Sequence, residues 1–139
     1  MIVIEDISSE PEWEGIFSII LEECDAYQVN YPSGVFDKEN PLMSGMSYFM
    51  ELKDIKVEPW EMMEESLKIT GKLNNEIKSK IYGFIKPSFS GDKPDLWDFS
   101  LLKNNIQYLR CSDFTVCILE DNDEIKNLLQ KKGLNRIIE

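Results

Sequence analysis

The spacing of apolar residues near the start of the chain predicts a short strand followed by an amphipathic helix. Residues 2–4 form an apolar run that is typical of a strand. Apolar side chains then recur at steps of three and four residues, the period of one helix face, at Trp13, Ile16, Phe17, Ile20, Cys24 and Tyr27. Ser9 and Glu12 have the spacing of a helix capping box. We therefore predict a helix over about residues 10–27.

The middle of the chain predicts a loop and then paired strands. Prolines and glycines recur through residues 28–45, which predicts a long loop. Residues 46–57 predict one or two strands, and Pro59 begins a segment that is typical of a short helix. Apolar and polar residues alternate over 67–73 and again over 77–85, which is the pattern of a hairpin. Such a hairpin would carry four lysines on its outer face: Lys68, Lys72, Lys78 and Lys80.

The last third of the chain predicts a loop, three further strands and a closing helix. The loop is expected over residues 87–95, and the strands lie between residues 96 and 119. Asp121 and Glu124 have capping-box spacing at the start of the final helix. Hairpin-length turns favour antiparallel pairing, because parallel strands need longer crossovers. The predicted fold class is α+β: an antiparallel meander of five or six strands, with the N-terminal and the C-terminal helix packed on one face.

The length and the cysteine content restrict the class of protein. The 139 residues fit a single domain spanning 1–139. No apolar run reaches the roughly 20 residues of a membrane-spanning helix, and the first residues lack the basic segment of a signal peptide. The three cysteines are an odd number and cannot all pair in disulfides. We therefore expect a cytoplasmic protein that does not act at a membrane.

The charge of the chain is strongly negative and unevenly distributed. The formal net charge is −11, and residues 1–30 contain eight acids but neither Lys nor Arg. Residues 71–110, in contrast, contain four acids and seven bases. A negative field repels nucleic-acid phosphates and accelerates encounters with basic proteins. The charge therefore argues against a nucleic-acid partner and favours a basic protein partner.

The residue types that are missing exclude several kinds of site. The chain has no His, which removes the usual base of Ser- and Cys-dependent catalysis and a common zinc ligand. Its cysteines form no CxxC pair, and its glycines form no phosphate-binding motif. Neither a metal nor a cofactor is therefore expected. Carboxylates near a tryptophan remain as candidates for acid–base chemistry. They are Asp95 and Asp98 beside Trp97, and Glu61, Glu64 and Glu65 beside Trp60.

Three acids at the C-terminal end of the first predicted helix are unfavourably placed. Glu22, Glu23 and Asp25 lie where the helix dipole disfavours negative charge, and no Lys lies four residues away from them. Two explanations remain open. Either these acids face a basic partner, or a Lys from another part of the fold neutralises them.

The residues that remain favour an interaction protein over an enzyme. The leading hypothesis is an acidic protein-binding inhibitor, specifically a bacterial immunity protein or antitoxin that occludes a basic, nuclease-like toxin. Acids would steer the partner electrostatically, and aromatic anchors would then be buried against it. The predicted acids are Glu12, Glu22, Glu23 and Asp25. The predicted anchors are Tyr27, Tyr31, Phe36 and Trp60.

Two alternative functions stay open on the sequence. One is a small enzyme or ligand-binding domain with a carboxylate site in a pocket around Trp60 or Trp97. The other is an adaptor subunit that works as an oligomer through an open sheet edge. A cavity between the tryptophans and two acids would favour the first alternative, and a mass that rises with concentration would favour the second.

Overall fold

A computed structural model describes residues 2–85, 96–134 and 137. Seven strands pair in one antiparallel sheet: β1 (Ile2–Ile4), β2 (Ala26–Tyr31), β3 (Lys56–Pro59), β4 (Leu67–Lys72), β5 (Asp98–Lys103), β6 (Ile106–Ser112) and β7 (Val116–Leu119). The α-helices of this part of the chain are α1 (Trp13–Glu23), α2 (Met46–Met50), α3 (Asn75–Ile85) and α4 (Asp123–Lys131). The predicted class, α+β with an antiparallel sheet, is confirmed. The loop expected over 87–95 lies outside the described residues.

The order of the strands differs from that of a simple meander. Along the sheet the order is β1-β7-β6-β5-β2-β4-β3, and each neighbouring pair is antiparallel. Strands β5, β6 and β7 do follow one another as a meander, and β3 and β4 form a hairpin. Strand β2 lies between β5 and β4, which come from later parts of the chain. The sheet therefore has one strand more than the predicted maximum, and its centre holds a strand that the sequence pattern did not predict.

The helices cover one face of the sheet. Phe17 of α1 packs edge-on against Phe99 of β5, with 6.1 Å between the ring centroids. Phe49 of α2 contacts Tyr27 of β2 at 5.3 Å between centroids. Tyr82 of α3 stacks against Phe17, and α4 packs against α1. The N-terminal and C-terminal helices thus share one face, as predicted in outline, and no helix of the described chain covers the opposite face.

Strand β2 replaces the end of the predicted helix and the start of the predicted loop. Helix α1 stops at Glu23, and the backbone at Cys24 is already extended, with φ −86° and ψ 152°. Tyr27, Val29 and Tyr31 are buried at every second residue, and β2 pairs with β4 on one side and with β5 on the other. Tyr27 also fits the helical spacing, but the strand is favoured because it buries every second side chain and forms hydrogen bonds with a strand on each side. The predicted helix end and loop start were therefore wrong.

One segment that was predicted as a strand, residues 77–85, lies in helix α3. In the segment 46–57, residues 46–50 form helix α2, whereas residues 56 and 57 begin strand β3. Met46 and Phe49 are buried three residues apart on α2, and Ile77 and Ile81 are buried four residues apart on α3. The side-chain oxygen of Asn74 accepts a hydrogen bond from the Ile77 N–H at 2.8 Å and so caps α3. Ile77 and Ile81 are four residues apart, a spacing that fits a helix and an alternating strand alike, so alternation alone did not distinguish the two for this segment.

The predicted ladder of four lysines on one sheet face does not form, because half of it belongs to a helix. Lys68 and Lys72 lie on β4, whereas Lys78 and Lys80 lie on α3.

Two predicted helix caps are also different in the structure. Asn122 caps α4 in place of Asp121, because its side-chain oxygen accepts from the Ile125 N–H at 2.8 Å. Asp121 pairs instead with Lys126 at 2.8 Å. The segment Ile7–Ser9 forms a 3-10 turn ahead of α1, so the capping box expected there is not formed.

Candidate functional site

The four acids that were predicted to steer a partner lie at opposite ends of α1. Glu12 directly precedes the helix, and Glu22, Glu23 and Asp25 lie at its other end. A helix rises about 1.5 Å per residue, so the ten residues from Glu12 to Glu22 correspond to about 15 Å. The structure therefore brings Glu22, Glu23 and Asp25 together and places Glu12 apart from them.

A lysine from a distant strand neutralises one acid at the end of α1. Lys103, the last residue of β5, pairs with Glu23 at 3.3 Å and also with Glu124 of α4. The Glu124 carboxylate accepts a second hydrogen bond from the Tyr108 hydroxyl. The hydrogen bond from Lys103 lowers the pKa of Glu124 most, and the bond from Tyr108 lowers it further. In turn, the hydrogen bond to Glu124 raises the pKa of Lys103. A Lys from elsewhere in the fold therefore explains the position of Glu23.

The other two acids of this group have different environments. The Asp25 carboxylate accepts from the backbone N–H of Asn104 at 3.1 Å and so supports the β5–β6 turn, where Asn104 and Asn105 both have positive φ. The backbone carbonyl of Glu22 accepts from Lys78 Nζ at 3.0 Å, while the Glu22 side chain is exposed. Asp25 is exposed as well, but its carboxylate is engaged by the turn, so Glu22 carries the most accessible charge of this group.

The Lys103–Glu124 pair predicts a loss of stability in acid. The folded-state pKa of Glu124 lies below its ordinary value of 4.5, so its stabilisation is present above that value and is lost as the pH falls through the folded pKa. We expect the urea midpoint of the wild type to fall more steeply than that of Glu124→Gln on acidification below about pH 5. Glu22→Gln, which removes the same charge from an exposed side chain, is expected to follow the wild type. Parallel curves for the wild type and Glu124→Gln would contradict the prediction.

Three of the four predicted aromatic anchors belong to the core. Tyr27 and Tyr31 are buried because β2 is a central strand whose inner face lies under the helices. Trp60 is buried because its ring packs edge-on against Trp97, with 6.0 Å between centroids. Phe36 is 46% exposed. Of the four predicted anchors, Phe36 alone is exposed.

A cluster of polar side chains occupies the sheet face opposite the helices. Asp98 is 3% exposed, and its carboxylate accepts from Asn30 Nδ2 at 2.8 Å and from Arg110 Nη2 at 3.1 Å. Gln28 donates to Asn30 Oδ1 at 2.8 Å. The Arg110 guanidinium lies 6.0 Å from the centroid of the Trp60 ring. Sequence reasoning missed this cluster, because its members meet only when β2, β5 and β6 lie side by side.

The same cluster bears on the alternative of a carboxylate site near the tryptophans. Asp98 directly follows Trp97, whose Nε1 donates to Asp113 Oδ1 at 3.0 Å. A general acid or base must reach a substrate, whereas the Asp98 carboxylate is enclosed and already accepts bonds from its neighbours. Its expected partner, Asp95, lies outside the described residues. The geometry therefore favours a structural role for Asp98.

The edges of the sheet are short and protected. Strand β3 has four residues, ends in Pro59, and carries an ion pair between Lys56 and Glu58 at 3.5 Å. Strand β1, at the opposite edge, has three residues. Short edges with charge or proline disfavour pairing with another chain. This geometry disfavours an adaptor that assembles through a sheet edge.

The turn between β3 and β4 exposes apolar and acidic side chains side by side. Residues 60–66, which were predicted as a short helix, form this turn. Met62 is 64% exposed and Met63 is 43% exposed. The buried Ser66 holds the turn, because its Oγ lies 2.9 Å from the Trp60 carbonyl oxygen. Three exposed acids share the turn: Glu61, Glu64 and Glu65. We name residues 61–65 the acidic methionine turn.

A second exposed apolar segment lies at the same end of the sheet. Strands β2 and β3 end here and β4 begins here. The loop after β2 passes the start of β4, since a methyl group on Gly34 would lie 3.4 Å from Leu67 Cδ2. Val35 and Phe36 on that loop are exposed. Glu12 lies toward this end too, because α1 runs back from it to the start of β2. We name Val35, Phe36 and the acidic methionine turn together the exposed end.

Three further features of the described residues concern metal ligands, one thiol and the length of the helices. Within residues 2–85, 96–134 and 137, no three acids or cysteines are grouped to hold a metal ion. Burial raises the pKa of the Cys24 thiol to about 12, so it is a poor nucleophile. None of the helices described is long and apolar enough to span a membrane. No family model, no curated protein and no solved structure matches the chain.

Proposed function

We propose that the protein is an acidic inhibitor that binds and occludes a basic protein, as an immunity protein or antitoxin occludes a nuclease-like toxin. The observation that supports this most is the exposed end, where four large apolar side chains are exposed near acids: Val35, Phe36, Met62 and Met63. Apolar side chains that a fold leaves exposed together are typical of interaction sites. The carboxylates beside Met62 and Met63 favour a partner of positive charge.

The exposed end combines a held backbone with adaptable side chains. The acidic methionine turn is anchored by the buried Trp60 and Ser66, so binding a partner would order side chains more than backbone. Methionine is flexible and polarisable, which suits contacts with an irregular surface. Phe36 adds a rigid aromatic anchor of the kind that contributes strongly to interfaces.

The fold leaves carboxylate charge available at the surface for a basic partner. Glu61 is paired with Lys68 at 3.2 Å. Glu64 and Glu65 of the same turn, and Glu22 on α1, are exposed and form no ion pair with a described residue. Such charges accelerate the arrival of a basic partner, and salt screens the effect. In the proposal these acids steer the partner, and the apolar side chains of the exposed end then contact it.

We place this function in the cytoplasm. The three cysteines, Cys24, Cys111 and Cys117, are free and buried, which suits a reducing compartment. In the cytoplasm, a nuclease-like partner must be inhibited before it reaches nucleic acid. Electrostatic steering makes the encounter with the inhibitor fast enough for this.

Partner capture with matched variants tests the proposal. The tagged protein is incubated with a lysate of the organism that encodes it, at low and at moderate salt, and retained proteins are identified by mass spectrometry. We expect one basic protein to be retained and its own activity to be blocked by the purified chain. Met62→Ser/Met63→Ser is expected to weaken that complex at least about tenfold, because two apolar contacts are lost.

Met50→Ser is the matched control for this experiment. Met50 is also 43% exposed, but it lies on α2 outside the exposed end. We expect this variant to bind like the wild type. Equal weakening by both variants, or retention of no basic protein at either salt, would contradict the proposal.

A further inference from the structure

One surface cavity differs from three others in the charge of its lining. Those three are each lined by at least one carboxylate, as expected for a chain with 26 acids and 15 bases. The fourth has a volume of about 300 Å³ and is lined by Lys38 and Lys80, with no acid among the described residues that line it. We name it the basic cavity. Its lining is positively charged, whereas the whole chain has a net charge of −11.

Aromatic rings form much of the wall of the basic cavity. Phe36, Tyr48 and Phe84 line it. Lys80 Nζ lies 5.0 Å from the centroid of the Tyr48 ring and 5.3 Å from that of Phe84. Cation–π attraction favours this position of the ammonium group over the rings. The cavity therefore contains the Lys80 ammonium group, positioned by cation–π contacts, beside flat apolar rings.

The remaining lining adds a hydrogen-bond donor and an apolar floor. The side-chain oxygen of Asn40 accepts from the Leu42 N–H at 3.0 Å, which leaves the Asn40 amide NH₂ as a donor at the cavity. Pro41 and the buried Met43 contribute apolar surface. The Tyr48 hydroxyl is enclosed, so we assign it no contact with a ligand. The lining thus combines two cations, an amide, two serines and apolar surface; the serines are Ser44 and Ser47.

We propose that the basic cavity binds a small aryl anion, that is, a carboxylate or phosphate carried on an aromatic ring. The ring would lie against Phe36 and Tyr48, and the anionic group would meet the ammonium groups of Lys38 and Lys80. The volume lies at the lower limit for small-molecule sites, which suits a single ring with a short substituent. The inference goes beyond the inhibitor function and does not depend on it, because it rests on Lys38, Lys80 and Tyr48, which lie outside the exposed end; Phe36 alone belongs to both surfaces.

Heteronuclear NMR titration of the full chain tests the inference. Phenylacetate and phenyl phosphate serve as the aryl anions. Inorganic phosphate lacks the ring, benzyl alcohol lacks the charge, and phenethylamine carries the opposite charge. At constant ionic strength we expect saturable shifts of the same backbone signals, around Tyr48 and Lys80, with at least one aryl anion. The three control compounds are expected to bind at least about tenfold more weakly, because each lacks one of the two complementary features.

Two lysine variants separate the cavity from general charge effects. Lys80→Met keeps an apolar stem in the exposed position but removes the ammonium group, and we expect it to weaken binding of the aryl anion about tenfold. Lys131→Met, an exposed position at the end of α4, is the matched control and is expected to leave the affinity unchanged. The inference is overturned if neither aryl anion binds, if the control compounds bind as tightly, or if the two variants lower the affinity equally.

Discussion

Asp98→Ala is expected to lower the free energy of unfolding by about 2–3 kcal/mol, because a buried carboxylate is lost from its bonds to the buried Asn30 and the half-buried Arg110. The Asp98 carboxylate is buried and accepts hydrogen bonds from Asn30 and Arg110. Without it, the Asn30 amide and the Arg110 guanidinium lack their acceptor, and burial keeps water from replacing it fully. An uncompensated buried donor costs more than a well-made bond contributes.

Urea titration followed by tryptophan fluorescence measures this loss. Glu58→Ala is the control, since Glu58 pairs with Lys56 in an exposed ion pair on the edge strand β3. Such pairs contribute about 0–1 kcal/mol, so we expect only a small change. Asp98→Asn, which keeps one oxygen acceptor, is expected to fall between the two. A loss below about 1 kcal/mol for Asp98→Ala would contradict the role of this cluster.

Gly71→Ala is expected to cost about 2 kcal/mol through overpacking, although alanine usually stabilises a chain relative to glycine. Gly71 of β4 pairs directly with Tyr27 of β2, and the Tyr27 ring lies across it. An added methyl carbon would lie 2.5 Å from the Tyr27 hydroxyl oxygen and 2.8 Å from Cζ. The ring is buried against Phe49, so it can make room only by disturbing the core.

Gly15→Ala supplies the matched comparison. Gly15 lies on the exposed side of α1, and a methyl group there would meet no atom within 4 Å. Alanine in an open helix position is expected to stabilise the protein by about 0.5–1 kcal/mol. Thermal and urea unfolding of the two variants should therefore move in opposite directions. A stabilised Gly71→Ala variant would show that Tyr27 does not lie where the structure places it.

The fold was predictable from sequence where one periodicity prevailed. Trp13, Ile16 and Ile20 satisfy the helical period and no other, and α1 forms around them. Tyr27 fits both the helical spacing of α1 and the alternating pattern of β2. It lies in a strand because residues 26–31 pair with two strands that are remote in sequence, β4 and β5. Ile77 and Ile81 carry the same ambiguity, which the Asn74 cap resolves in favour of α3. Local patterns therefore predicted the class, whereas the order of strands depended on contacts distant in sequence.

The candidate site was predictable in charge but less so in contact residues. The acidity of Glu22 and Glu64 can be read from the sequence, but the pairing of Glu23 with Lys103 joins residues 80 positions apart. Trp60 is of a residue type that often anchors interfaces, but its ring packs against Trp97 and is buried. Met62 and Met63 are adjacent, and two adjacent residues of a helix cannot both face the core, so the sequence did contain a signal that could have located an exposed methionine.

Our main claim is that exposed acids steer a basic partner to the exposed end. The most direct test is the association rate between the chain and the captured basic protein. Stopped-flow fluorescence would compare the wild type with Glu64→Lys/Glu65→Lys, and with Glu22→Lys at the opposite end of α1. We expect the double variant to associate about tenfold more slowly at low salt, with the difference shrinking at high salt, and Glu22→Lys to have a smaller effect. Equal association rates for the wild type and the double variant at low salt would contradict the claim.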